Sequence, residues 1–121
     1  MSAMAPDALL PDEFDQVYVK SADGTRCVIT TTELCCQNDQ FTASPVIDGM
    51  QANGVRIDTD AVMSWIVGDL GNIPAIELDS TYTYRALGWT ITTRAGGDLR
   101  FTNDQTGCSV VVGAHAIHVA P

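Results

Sequence analysis

Lysine is almost missing from this chain. Lys20 is the only one in 121 residues, and six Lys+Arg face fifteen Asp+Glu for a formal net charge of −9. Phosphate contacts need clustered basic side chains, so sequence-specific nucleic-acid binding is excluded as a function class. Long apolar runs are also lacking. No stretch approaches the roughly 18 residues that a membrane helix needs, and no membrane partner is expected. Met1–Phe14 (MSAMAPDALLPDEF) has no basic start, and Pro6, Asp7 and Pro11 break its apolar run, so no export signal is read. The expected compartment is the cytoplasm, where thiols stay reduced. No Cys-x-x-Cys pair occurs among Cys27, Cys35, Cys36 and Cys108, and these are expected as free, partly buried thiols. A zinc site that adds His115 and His118 lacks ligand spacing that would bring four donors together, so neither metal nor cofactor is expected. Gly96-Gly97-Asp98 lacks the lysine and frame of a phosphate loop.

What is present is a globular composition, 45% hydrophobic and 17% charged, at the length of one small domain. Thirteen threonines against one lysine favour strands, because β-branched side chains suit a pleated surface. Gln16–Lys20 and Thr25–Thr31 flank a turn ending in Asp23-Gly24 and read as a β-hairpin, with Val17 and Val19 on one face and Tyr18 on the other. Cys36–Ser44 is polar and turn-rich, and Ser44-Pro45 biases the chain to extended geometry. Val55–Asp58 reads as a short strand after the Asn53-Gly54 turn. In Thr59–Val67 the spacing of Val62, Trp65 and Ile66 predicts one or two turns of helix, with Asp58 or Thr59 as N-cap and Gly68 as stop.

The second half alternates more cleanly. Ala75–Leu78, Thr81–Ala86, Trp89–Arg94, Leu99–Thr102, Cys108–Val112 and Ala114–Val119 read as successive strands separated by turns. The fold class expected is all-β: a small antiparallel β-barrel or sandwich with at most one short helix and an extended N-terminal arm. The division expected is an arm over residues 1–14 and a β-barrel domain over 15–121. The arm leaves Leu9, Leu10 and Phe14 in need of cover, either from a partner or by folding back on their own domain. Trp89 is expected in the core. Trp65, with Ile66 beside it, is either core or an exposed interface anchor. The candidate interface residues are therefore Leu9, Leu10, Phe14, Trp65 and Ile66.

No catalytic set emerges, and no enzyme is expected. Asp58 and Asp60 would share one face of a strand, as acid/base carboxylates do, but fifteen acids generate such pairs on any solvated edge. Cys108 with His115 or His118 is the one thiol–imidazole combination, and on a strand the two histidines fall on opposite faces. Tyr82, Tyr84 and Trp89 at period two are cross-strand or core aromatics rather than a stacking platform.

From Val55 the chain reads VRIDTDAVMSWIVGDLGNIPAIELDSTYTYRALGWTITTRAGGDLRFT. A strand runs into Thr59-Asp60, a Gly68-Asp69 step follows, a two-residue Asp79-Ser80 turn leads to a Tyr-containing strand, and Gly96-Gly97-Asp98 precedes the next. Over residues 55–102 this order resembles the small β-barrel head–tail joining (head-completion, stopper or neck) proteins of tailed bacteriophages. The resemblance implies a structural virion protein assembled in the host cytoplasm, without catalysis, forming a homo-oligomeric ring beside portal, adaptor, tail or capsid proteins. A capsid decoration protein or a tail component is the alternative of the same kind. An acidic ring lumen would repel the DNA backbone and let it pass.

Overall fold

Two six-stranded sheets pack face to face across one apolar core. The computed structural model describes residues 9, 11–38, 45–67, 74–93, 97–113 and 117–120, together with the backbone of 3–4. All described regular structure is extended, so the chain is all-β. The two sheets do not join into a closed barrel, which makes the architecture a sandwich.

The first sheet follows the order β8-β7-β4-β3-β2-β9. Its strands are β2 (Val17–Lys20), β3 (Arg26–Ile29), β4 (Glu33–Gln37), β7 (Gly54–Asp58), β8 (Met63–Ile66) and β9 (Ile76–Glu77). The second follows β1-β10-β11-β12-β13-β14, with β1 (Ala3–Met4), β10 (Tyr82–Ala86), β11 (Trp89–Thr93), β12 (Leu99–Asn103), β13 (Ser109–Val112) and β14 (Ile117–Ala120). A separate ribbon joins β5 (Val46–Ile47) to β6 (Met50–Gln51). Pairing is antiparallel except where β9 joins β2 and β1 joins β10 in parallel.

Period-two alternation sets which side chains fill the core. Val17, Val19, Ile29, Leu34, Val55 and Ile57 point inward from the first sheet. Tyr84, Trp89, Ile91, Leu99, Phe101, Val110 and Val112 meet them from the second. The expected hairpin at Asp23-Gly24 forms, with Gly24 at φ 91°. Trp89 is 1% exposed, and its indole N–H donates to the Thr30 carbonyl at 3.0 Å, a polar link between the sheets.

Two expectations are corrected. The Thr59–Val67 segment is not helical. Asp58 closes a hairpin by donating its N–H to the Val62 carbonyl, Ala61 takes φ 62°, and residues 63–66 form β8. Asp58 does cap backbone donors, those of Asp60 at 2.9 Å and Val62 at 3.0 Å, but the donors belong to a hairpin turn. Pairing with β7 buries Met63 and Trp65 against the core, and this outweighs the weak helical spacing. Second, Cys27 and Cys36 are not free: β3 and β4 set them directly opposite each other, and they form a disulfide. Cys35 and Cys108 are free. For the N-terminal segment, where cover by a partner and folding back are both expected alternatives, the described residues fold back on the domain. Ala3–Met4 pair with Tyr82 and Thr83 of β10, and Leu9, 6% exposed, belongs to the core.

Candidate functional site

Of the five residues expected at an interface, the four described do not converge. Leu9 is core. Leu10 lies outside the described residues. Phe14, 72% exposed, sits in the turn before β2, while Trp65 and Ile66 lie on β8 at the far edge of the same sheet. Between β2 and β8 run β3, β4 and β7, which is four strand spacings or about 19 Å. Trp65 is half-buried against the core. Ile66 points to the other face and lies over Gly54, where a Cβ would come within 3.0 Å of Ile66 Cγ1 and 3.1 Å of the Cys36 carbonyl oxygen.

The residues weighed for chemistry are also apart. His118 faces outward on β14 opposite Val111, whereas Cys108 precedes β13 and so lies three residues, or about 10 Å, along the strand from that register point. His115 lies outside the described residues. Among the described residues, no group of three or more His, Cys, Asp and Glu side chains is placed to hold a metal ion. The Asp58 carboxylate is occupied with turn N–H groups.

Cys35 lies on the outer face of the first sheet beside Arg56, whose Nε stands 3.0 Å from Glu33. Burial pushes the Cys35 thiol above its ordinary value, and the Arg56 hydrogen bond only partly offsets this. This favours the protonated thiol over the thiolate. Asp79 moves the other way: the backbone N–H and hydroxyl of Thr81 stabilise its carboxylate and lower its pKa.

The clearest functional feature is the layout of charge. The turns at both ends of the sandwich carry carboxylates: Asp23, Asp79 and Asp98 stand at one end, and Asp12, Glu13, Asp15, Asp58, Asp60 and Asp104 at the other. Asp12 and its neighbours Glu13 and Asp15 form a tight turn, with Asp12 Oδ1 accepting from the N–H groups of Phe14 and Gln16. Asp58 and Asp60 form the β7–β8 turn, and Asp104 begins the β12–β13 turn. Thr106 Oγ1 donates to the Thr59 carbonyl at 2.6 Å, which ties the two sheets together at this end, and Asp104 N–H donates to the Gly88 carbonyl at 2.9 Å between two turns of the second sheet. Phe14 and Val62, both strongly exposed, stand among these carboxylates.

The outer face of the second sheet carries both signs: along β12 its outward series runs from Asp98, whose carboxylate stands where a Cβ at Gly113 would lie, through Arg100 and Thr102 to Asp104, whose Oδ1 accepts from the Thr90 hydroxyl. Its outward side chains form two cross-strand rows. One runs Thr83, Thr92, Arg100, Val111 and His118; the other runs Arg85, Thr90, Thr102 and Ser109. Arg85 and Arg100 are exposed and have no ion-pair partner among the described residues. Arg85 and Arg100 stand at alternate strands among hydroxyls around Val111, with the Asp98 and Asp104 carboxylates at the two ends of β12 on the same face. Sequence reasoning noticed the alternation of TYTYRA and WTITTR but not this face, because its cross-strand rows form only when the strands lie side by side.

No family model, no curated protein and no solved structure matches this chain.

Proposed function

We propose that this chain is a non-catalytic structural subunit of a tailed-bacteriophage virion, placed at the head–tail junction and working as a ring of identical copies. The supporting observation is the path of residues 55–102. The segment that resembles the neck proteins runs consecutively through β7 to β12, with Asp79-Ser80 leading into the Tyr-bearing β10 and Gly97-Asp98 leading into β12. The Gly68-Asp69 step lies outside the described residues. A ring suits this kind of surface: repetition multiplies moderate interfaces, and each copy needs only two complementary patches and no reacting group.

Light scattering behind size exclusion, with negative-stain electron microscopy of the same fractions, tests the reading on the full chain. The expected result is a discrete multiple of 12.9 kDa with a central hole. A monomer at every concentration, or an open-ended filament, contradicts the ring.

A further inference from the structure

We propose that the Cys27–Cys36 bond is a covalent lock that thiol reductants do not reach in the folded chain, so that the cross-link persists in a glutathione-rich compartment where exposed disulfides are reduced. The proposal concerns the fold of a single chain and does not rest on the ring reading. Its basis is position. Strands β4 and β3 are the two middle strands of the first sheet, with β7 and β8 on one side and β2 and β9 on the other. The bond joins them on their inner face, and both cysteines are 1% exposed. Strand register gives the surroundings. Val19, Cys27, Cys36, Val55 and Trp65 form one inward cross-strand row, so a fully buried valine stands on either side of the disulfide. The next row toward the β3–β4 turn holds Ile29 opposite Leu34, both in the core. In the other direction Thr25 and Asn38 lie two residues from Cys27 and Cys36, on the same face, and both are buried. Asn38 Nδ2 donates to Thr25 Oγ1 at 3.0 Å, which closes that end of the row.

Reduction is an exchange. A glutathione thiolate attacks one sulfur to form a mixed disulfide, and a second thiolate then releases it. Two glutathione thiols become one glutathione disulfide, and Cys27 and Cys36 become thiols. The first attack needs access to a sulfur, and the free cysteines do not supply it from within. Cys35 faces the outer side of the sheet opposite Arg56. Cys108 follows Thr106, which bonds the Thr59 carbonyl four residues beyond Val55, a distance of about 13 Å along the strand direction. The bond forms by the reverse exchange, with glutathione disulfide as the oxidant, before the second sheet docks over the β3–β4 hairpin. Docking then removes the route in both directions, so reduction waits on opening of the sandwich.

Timed reduction of the full-length oxidised chain tests the proposal. The chain is held in excess reduced glutathione across a urea series, thiols are trapped with iodoacetamide at intervals, and mass spectrometry with peptide mapping counts the trapped thiols at each cysteine. Circular dichroism at each urea concentration reports the folded fraction. Cys27 and Cys36 are expected to stay bonded in the folded chain, with a rate extrapolated to zero urea on the order of a thousandfold or more below that of the unfolded chain. Trp89→Phe lies on the other sheet, outside the cysteine row, and weakens the fold as a whole. It is expected to raise the extrapolated rate roughly thirtyfold, in step with the larger population of opened chains. Reduction of the folded chain within about tenfold of the unfolded rate overturns the proposal. A Trp89→Phe rate equal to that of the wild type also overturns it, because the bond is then reached by a local opening that leaves the second sheet docked. Four thiols in chain purified without reductant overturn it as well, since there is then no bond to protect. None of these results bears on whether the chain forms a ring.

Discussion

Replacing Trp89 with phenylalanine and, separately, with alanine tests how the two sheets are held together. Trp89 is 1% exposed within the core, and its Nε1–H reaches the Thr30 carbonyl at 3.0 Å across the sandwich. Truncation to alanine removes the ring and the hydrogen bond, at a cost of roughly 3–5 kcal/mol. Phenylalanine keeps an aromatic ring in the same site. It loses one hydrogen bond, a net effect of about 0.5–1.5 kcal/mol, and leaves a small void of comparable effect, for about 2 kcal/mol in all. Against a typical total of 5–15 kcal/mol, the phenylalanine variant stays folded and the alanine variant is marginal. At a few degrees per kcal/mol for a domain of this size, Trp89→Phe should lower Tm by roughly 8 °C. Urea unfolding followed by far-ultraviolet circular dichroism gives the free energies directly, without relying on the fluorophore that has been removed. A Trp89→Phe loss below about 0.5 kcal/mol, or equal to that of Trp89→Ala, refutes this division between hydrogen bond and packing.

Other substitutions separate the N-terminal residues and the turns. Leu9→Ala should cost roughly 2–4 kcal/mol because Leu9 is core, whereas Phe14→Ala should stay within about 0.5 kcal/mol by the same unfolding assay. Asp58→Ala removes the acceptor for two turn N–H groups and should cost about 1 kcal/mol, while Asp58→Asn, which keeps an acceptor, should cost much less by thermal melting. Gly97→Ala should destabilise by roughly 1–2 kcal/mol, since Gly97 has φ 94° and a Cβ there would lie 3.1 Å from the Asp23 backbone nitrogen. Thiol titration of the denatured, unreduced chain should count two thiols and, after reduction, four; four without reductant would contradict the Cys27–Cys36 bond.

Much of the fold was legible because alternation is a local signal. Tyr82, Tyr84, Trp89, Ile91, Leu99 and Phe101 all mark inward faces at period two, and the meander β10–β14 follows directly. What failed was decided by partners distant in sequence. The β8 strand carries helical spacing at Val62, Trp65 and Ile66, and only pairing with β7 makes it extended. Strand β4 hid inside a stretch of threonines and cysteines, although Leu34 and Cys36 alternate inward there. The Cys27–Cys36 bond depends on the β3–β4 register, which nothing in cysteine spacing reveals. Of the candidate interface, Phe14 was legible as an exposed residue.

The placement of Leu9 also governs how assembly should be probed. Deleting residues 1–14 removes a core side chain and the strand beside β10, so loss of assembly after that deletion would report unfolding as much as a lost contact. Point substitutions in the full chain avoid this confusion.

The most direct measurement is immunogold labelling of tailed particles from the source strain with antibody raised against the purified chain. The account predicts a single focus of label at the junction of head and tail. Label spread over the capsid, along the tail, or absent from particles altogether would contradict it.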